Sequence, residues 1–203
     1  MIRSGKAILA TAAMVCLGAL PARAGLIYLI QVDTTSLSGV TGYIDLQFNP
    51  GFPAPSDNAV AIVDQFTSDG ALTTPAGDIG DVTGAFPGTV AIHNTGPVND
   101  HAEGFTFGSF LWLDVYAYIP TISGSAASGS SFLLELLDDS FNPILTSGVL
   151  VEIDLDTDGN RIVINNSPGS EAIVTEVPEA NGGVLLAIGL AGILVGRARR
   201  VRR

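Results

Sequence analysis

The chain is short of the residues that carry most enzymatic and metal chemistry. Its 203 residues include one cysteine, Cys16, and two histidines, His93 and His101. A single thiol closes no disulfide, and Cys16 lies in a segment expected to be removed, so neither disulfide staples nor thiol catalysis is expected. The two imidazoles are separated by residues 94–100, a spacing no zinc motif uses, and both are read as loop side chains facing solvent. Neither a G-x-S-x-G elbow nor a phosphate-binding glycine loop occurs. Cations are scarce through the middle of the chain. Between Gly25 and Asn181, Arg161 stands alone against all 20 carboxylates. Such a stretch repels phosphate backbones, which excludes nucleic acid as a partner.

What the middle lacks is found at the two ends. Arg3 and Lys6 precede residues 7–20, small or apolar throughout except for Thr11, and Pro21 closes the run. Ala22-Arg23-Ala24 then supplies small residues before Gly25, the layout of a cleaved secretory signal over residues 1–24. The run is too short for the roughly 20 residues that span a bilayer. At the other end residues 182–196 are apolar or glycine, and Arg197, Arg199, Arg200, Arg202 and Arg203 follow. As a helix these residues rise about 22 Å against a hydrocarbon core of roughly 30 Å, a deficit that snorkelling arginines make up. Behind a cleaved signal, the arginines anchor the tail in the cytoplasm and leave the body outside. The expected organisation is a signal at 1–24, an ectodomain at 25–176, and a membrane-associated segment at 177–203.

Between those ends the dominant period is two. Ile44, Leu46 and Phe48 share one face, while Tyr43, Asp45 and Gln47 share the other. The same alternation predicts strands at 26–32, 60–66, 90–93, 132–137, 149–155, 161–165 and 172–176, and one bent near Gly108 at 105–118. Residues 57–88, rich in Gly, Pro, Asp and Thr, are expected to form long loops, and 177–181 a linker. Many short strands without intervening helices predict an all-β fold, an antiparallel, jelly-roll-like β-sandwich, followed by a single C-terminal membrane helix.

Two constellations in this body could carry chemistry. Asp154, Asp156 and Asp158 followed by Gly159 begin as a calcium loop begins, with hard oxygen ligands converging round a tight turn. Arg161 and Asn165 then stand where that loop needs an apolar residue and a bidentate glutamate. A plain hairpin turn at 157–160 is the competing reading, compatible with a weak calcium site, and no other cofactor is expected. The second constellation is Phe110, Trp112, Tyr116 and Tyr118, which an extended strand places on one side with Asp114. Trp112 and Tyr116 beside a carboxylate are candidates for a sugar platform, and burial of both faces between layers is the alternative. Asp138 and Asp139 are read as solubilising surface charge rather than an acid–base pair, and the chain as no enzyme.

The C-terminal layout also carries a resemblance. Glu176-Val177-Pro178-Glu179, a short glycine- and leucine-rich run and a terminal arginine cluster are similar to the PEP-CTERM sorting signal of exported proteins in Gram-negative, polysaccharide-producing bacteria. Val177, Pro178 and Glu179 match its motif, and Ala180 stands where the family has a second proline. Residues 42–51 near the mature start also resemble small proteins of that family. The resemblance implies an exosortase-like sorting enzyme and the inner membrane as partners. It further implies a place at the cell surface or in an exopolysaccharide matrix, with a structural or adhesive role. Carbohydrate binding is the alternative.

Overall fold

Strand alternation sets the architecture. The computed structural model describes residues 26–178 apart from 147, 168 and 170. The expected signal, the apolar C-terminal run and the arginine tail lie outside those residues. Thirteen strands occur among the described residues: β1 (Leu26–Asp33), β2 (Thr41–Pro50), β3 (Val60–Ser68), β4 (Ala71–Leu72), β5 (Gly77–Ile79), β6 (Asp81–Gly84), β7 (Val90–His93), β8 (Asp100–Thr106), β9 (Phe110–Tyr118), β10 (Ser130–Asp138), β11 (Val151–Leu155), β12 (Arg161–Asn165) and β13 (Ala172–Pro178). They form two antiparallel sheets, as a β-sandwich requires. The first runs β13-β1-β9-β3-β7-β6. The second runs β12-β11-β10-β2-β8-β4, with β5 also on β8. The pairings β1 with β9, β2 with β8 and β3 with β7 nest inside one another and alternate between the sheets.

The core lies between the sheets and is made by one parity of each strand. Tyr28 and Ile30 of β1 and Leu111, Leu113 and Val115 of β9 line one side; Ile44, Leu46 and Phe48 of β2 and Phe132 and Leu134 of β10 line the other. All ten are fully buried. Removing this apolar area from water, at roughly 25 cal/mol per Å², is the main force that holds the two sheets face to face.

Three sequence expectations are corrected. Residues 105–118 are not one bent strand, because β8 and β9 belong to opposite sheets. The chain crosses over at 107–109, where Phe107 is buried and Gly108 packs so close to Asp69 that a Cβ would collide with its carboxylate. Asp69 accepts hydrogen bonds there from the Ser109 amide (2.8 Å), the Ser109 hydroxyl (2.6 Å) and the Phe110 amide (3.2 Å). Residues 57–88 hold all of β3 and three short strands as well as loops, and β4, β5 and β6 are too brief to show a period. Finally, β13 runs to Pro178 and so enters the expected linker. A strand at the sheet edge tolerates a terminal proline, whose missing N–H interrupts no ladder.

Candidate functional site

The aromatic strand has the two-faced form expected of it. Leu111, Leu113, Val115 and Ala117 of β9 are fully buried, whereas Trp112 on the opposite face is 45% exposed. Phe110 and Trp112 lie 5.8 Å apart between ring centres, and Tyr116 and Tyr118 stack at 4.8 Å. Paired residues of antiparallel neighbours share a face, so the register names the surroundings of the indole. Gln31 of β1 and Thr67 of β3 flank Trp112, and Leu29 and Asp64 flank Asp114. A bulge between Asp64 and Thr67 brings Thr67 into line with Trp112, with Gln65 at φ 53°. Within the same bulge Phe66 packs against the core and stacks on Phe86 at 4.4 Å. Burial, reinforced by the like charge of the facing Asp64, raises the Asp114 pKa above its ordinary value. Arg161 is engaged at the far end of the strand. Its Nε donates to the Ala117 carbonyl (2.7 Å), and its guanidinium lies 5.9 Å from the Tyr116 ring centre.

The outer face of the second sheet has a different chemistry. Asp45 of β2 pairs directly with Glu135 of β10, and Gln47 pairs with Asp100 of β8. Gln47 donates to Asp45 (2.8 Å), which is 3% exposed. Asp100 Oδ1 is buried with no hydrogen-bond partner. Burial first, then the neighbouring Asp45, Asp78 and Glu135 carboxylates, pushes the Asp100 pKa up to about 8. Burial and Asp45 raise Glu135, and burial and Asp154 raise Glu152.

His101 is the residue that sequence reasoning misplaced. It is no loop side chain facing solvent: it lies on β8, 2% exposed, on the core parity with Glu103 and Phe105. Its Nδ1 is 2.7 Å from Asp78 Oδ1 on β5, its Nε2 is 3.4 Å from Glu103 Oε2, and the Phe86 ring meets it edge-on. Burial raises the Glu103 pKa, and His101 opposes that rise. A carboxylate–imidazole–carboxylate row, buried at His101 and Glu103 and open to solvent at Asp78, ties the short strand β5 to β8. The parity of Phe105 was the available signal, since it places His101 and Glu103 inside. His93 is likewise in a strand, at the end of β7, and half-buried.

The chain matches no known protein family, curated protein or solved structure. The remaining candidates therefore rest on geometry alone. At the calcium-like loop, Asp156 Oδ1 accepts from the Asp158 amide (2.9 Å) and the Asn160 amide (2.8 Å), and Oδ2 accepts from the Asn160 side chain (2.8 Å). These bonds, the one from the Asn160 side chain foremost, lower the Asp156 pKa. Asp154 instead accepts from Ser131 on the neighbouring strand β10. The loop is thus the turn of the β11–β12 hairpin, and among the described residues no group of three or more His, Cys, Asp or Glu side chains is arranged to hold a metal. Asp138 has a similar job, capping its turn through the Ser140 amide (2.8 Å) and Asn142 amide (2.9 Å), while Asp139 accepts from Thr41 (2.8 Å). A concavity lined by Ser56, Asp57, Asn58, Pro120 and Thr121 holds one carboxylate, which accepts from the Ser123 amide (2.9 Å). Of the sorting motif, Val177 and Pro178 close β13, and Glu179 lies outside the described residues.

Proposed function

We propose that this chain is an exported, non-enzymatic surface protein, tethered to or sorted through the inner membrane, whose acidic β-sandwich has a structural or adhesive role. The observation that carries this reading is the segregation of charge. Every carboxylate lies between Asp33 and Glu179, and eight of the nine cations flank the two apolar terminal runs. That is the pattern of a translocated cargo between two export signals. The resemblance of residues 176–203 to the PEP-CTERM signal adds an exosortase-like enzyme as the processing partner. The nested strand pairings support the jelly-roll-like reading of the ectodomain. Intact-mass measurement of cytosolic, membrane and secreted fractions tests the proposal. A chain beginning at Gly25 and ending near Pro178 supports sorting, and one beginning at Gly25 and ending at Arg203 supports a simple anchor. A soluble cytosolic chain that retains Met1 refutes both.

A second reading, that the sandwich is a carbohydrate-binding module for exopolysaccharide, is favoured by Trp112. An indole left 45% exposed between buried neighbours is available for stacking against the C–H face of a sugar ring.

A further inference from the structure

The first sheet places hydrogen-bonding side chains on both sides of its exposed indole and a pair of opposed carboxylates one step along the same face. Gln31, Trp112 and Thr67 form one cross-strand row, and Asp114 and Asp64 face each other in the next. The two rows are two residues apart on β9, about 7 Å at the usual strand rise. From these positions we infer that this patch is a binding site for a cationic glycan, a polymer of amino sugars carrying free ammonium groups. The inference rests on the carbohydrate-binding reading and narrows it to one ligand class.

The charge arrangement selects that class. Two carboxylates placed directly opposite across a strand pair repel each other, and no lysine or arginine stands on either side of them in the register. The one cation of the ectodomain, Arg161, is bonded to the Ala117 carbonyl beside Tyr116. A neutral sugar stacked on Trp112 would leave the repulsion in place, and an anionic sugar would add to it. An ammonium group set between Asp64 and Asp114 removes it and gains two charge-assisted hydrogen bonds. The indole face itself attracts a cation, which favours the same ligand. Gln31 supplies both donor and acceptor to sugar hydroxyls, and Thr67 does the same from the other side. The surrounding excess of carboxylates raises the local concentration of any polycation.

Calorimetry on the full-length chain in detergent tests the inference, with the glucosamine hexamer, its fully N-acetylated counterpart, a neutral glucose hexamer, a glucuronate hexamer and hexalysine as probes. Because Trp112 is the sole tryptophan, its fluorescence reports occupancy of the patch directly. The expected result is glucosamine binding at least tenfold tighter than the neutral hexamers, with a change in Trp112 emission and no glucuronate binding. Trp112→Ala should abolish glucosamine and neutral binding together. The pair Asp64→Asn and Asp114→Asn should bring glucosamine down to the neutral level, with an unchanged circular dichroism spectrum. Equal affinity for the neutral and glucosamine hexamers overturns the cationic preference and leaves the carbohydrate reading standing. Absence of binding to every sugar overturns both. Hexalysine binding as tightly as glucosamine, or glucosamine binding that survives Trp112→Ala, reduces the effect to nonspecific attraction and overturns the site.

Discussion

Asp100→Asn tests the electrostatics of the second sheet at the point where they are most strained. The Asp100 carboxyl sits across from Gln47, near Asp45, Asp78 and Glu135, with Oδ1 buried and unpartnered and its pKa pushed up to about 8. In the unfolded chain the same group titrates near 4. Between those two values the folded state holds a proton that the unfolded state has released, so stability falls as pH rises from about 4 to about 8. At roughly 1.4 kcal/mol per pH unit the interval is worth at most about 6 kcal/mol. The side chain keeps partial contact with water, which screens the neighbouring charges, and about 2–3 kcal/mol is the expected effect. Asparagine is neutral throughout and should match the protonated acid at pH 5. Urea unfolding of the full-length chain, followed by Trp112 fluorescence at pH 5, 7 and 9, gives the comparison. Wild type should lose stability across the series while Asp100→Asn loses markedly less, so that the variant is the more stable protein at pH 9. Parallel pH profiles for the two proteins would refute the reasoning. Glu135, Glu103, Glu152 and Asp114, whose pKa values are also raised, add to the same slope, and the residual slope in the variant measures them together.

Three further outcomes follow from specific contacts. Asn99 is fully buried; its side chain accepts from the Asp81 amide (3.2 Å) and Gly96 amide (3.1 Å) and donates to the Phe48 carbonyl (3.1 Å) and Gly96 carbonyl (2.9 Å). Asn99→Ala strands these groups and should cost about 2–4 kcal/mol in denaturant unfolding. Gly84 stands at φ 94°, with the Thr89 carbonyl where a Cβ would go, so Gly84→Ala should lower stability by about 2 kcal/mol or more and open the β6–β7 hairpin to hydrogen exchange. Calcium at about ten times a millimolar dissociation constant should leave the melting temperature of the full-length chain unchanged, because the oxygens of Asp156 are already used by its own turn. A clear upward shift would restore the ion site.

The elements that were legible in the sequence are those whose period of two runs unbroken. β2 and β11 each alternate apolar and polar residues over five or more positions, and each has its apolar face inside. In β9 the separation of an aromatic from an aliphatic face was readable, though not where the strand begins. What escaped was written in contacts with residues far along the chain. β8 reads as polar because His101 and Glu103 occupy core positions, and they can do so only because Asp78, from a three-residue strand, comes to meet them. β4 to β6 have two to four residues each and owe their extended form to β7 and β8 rather than to any pattern of their own. For the candidate site, the shared face of Trp112, Asp114 and Tyr116 was readable from spacing. The flanking Gln31, Thr67 and Asp64 were not, because they come from strands far along the chain, and Thr67 reaches its place only through a bulge that no local signal announces.

The two outer faces resolve their surplus of negative charge in different ways, and the difference bears on which one meets a partner. On the second sheet the carboxylates stand among one another, and the protein relieves them internally by raising pKa values and by bonds such as Gln47 to Asp45. A group that has taken up a proton near neutral pH presents little charge to a ligand. On the first sheet Asp64 and Asp114 are only two, and they stand beside an exposed aromatic surface rather than among further carboxylates. The raised Asp114 pKa relieves part of their repulsion, and a cation that also stacks can relieve the rest from outside. The first face is thus the one that gains most from binding, and its occupation should stabilise the sandwich against unfolding by the linkage between ligand and fold. The second face should respond to pH alone. Melting temperatures measured with and without the glucosamine hexamer, in wild type and in Asp100→Asn, separate the two. The ligand increment should be the same in both proteins, since the substitution lies on the opposite sheet.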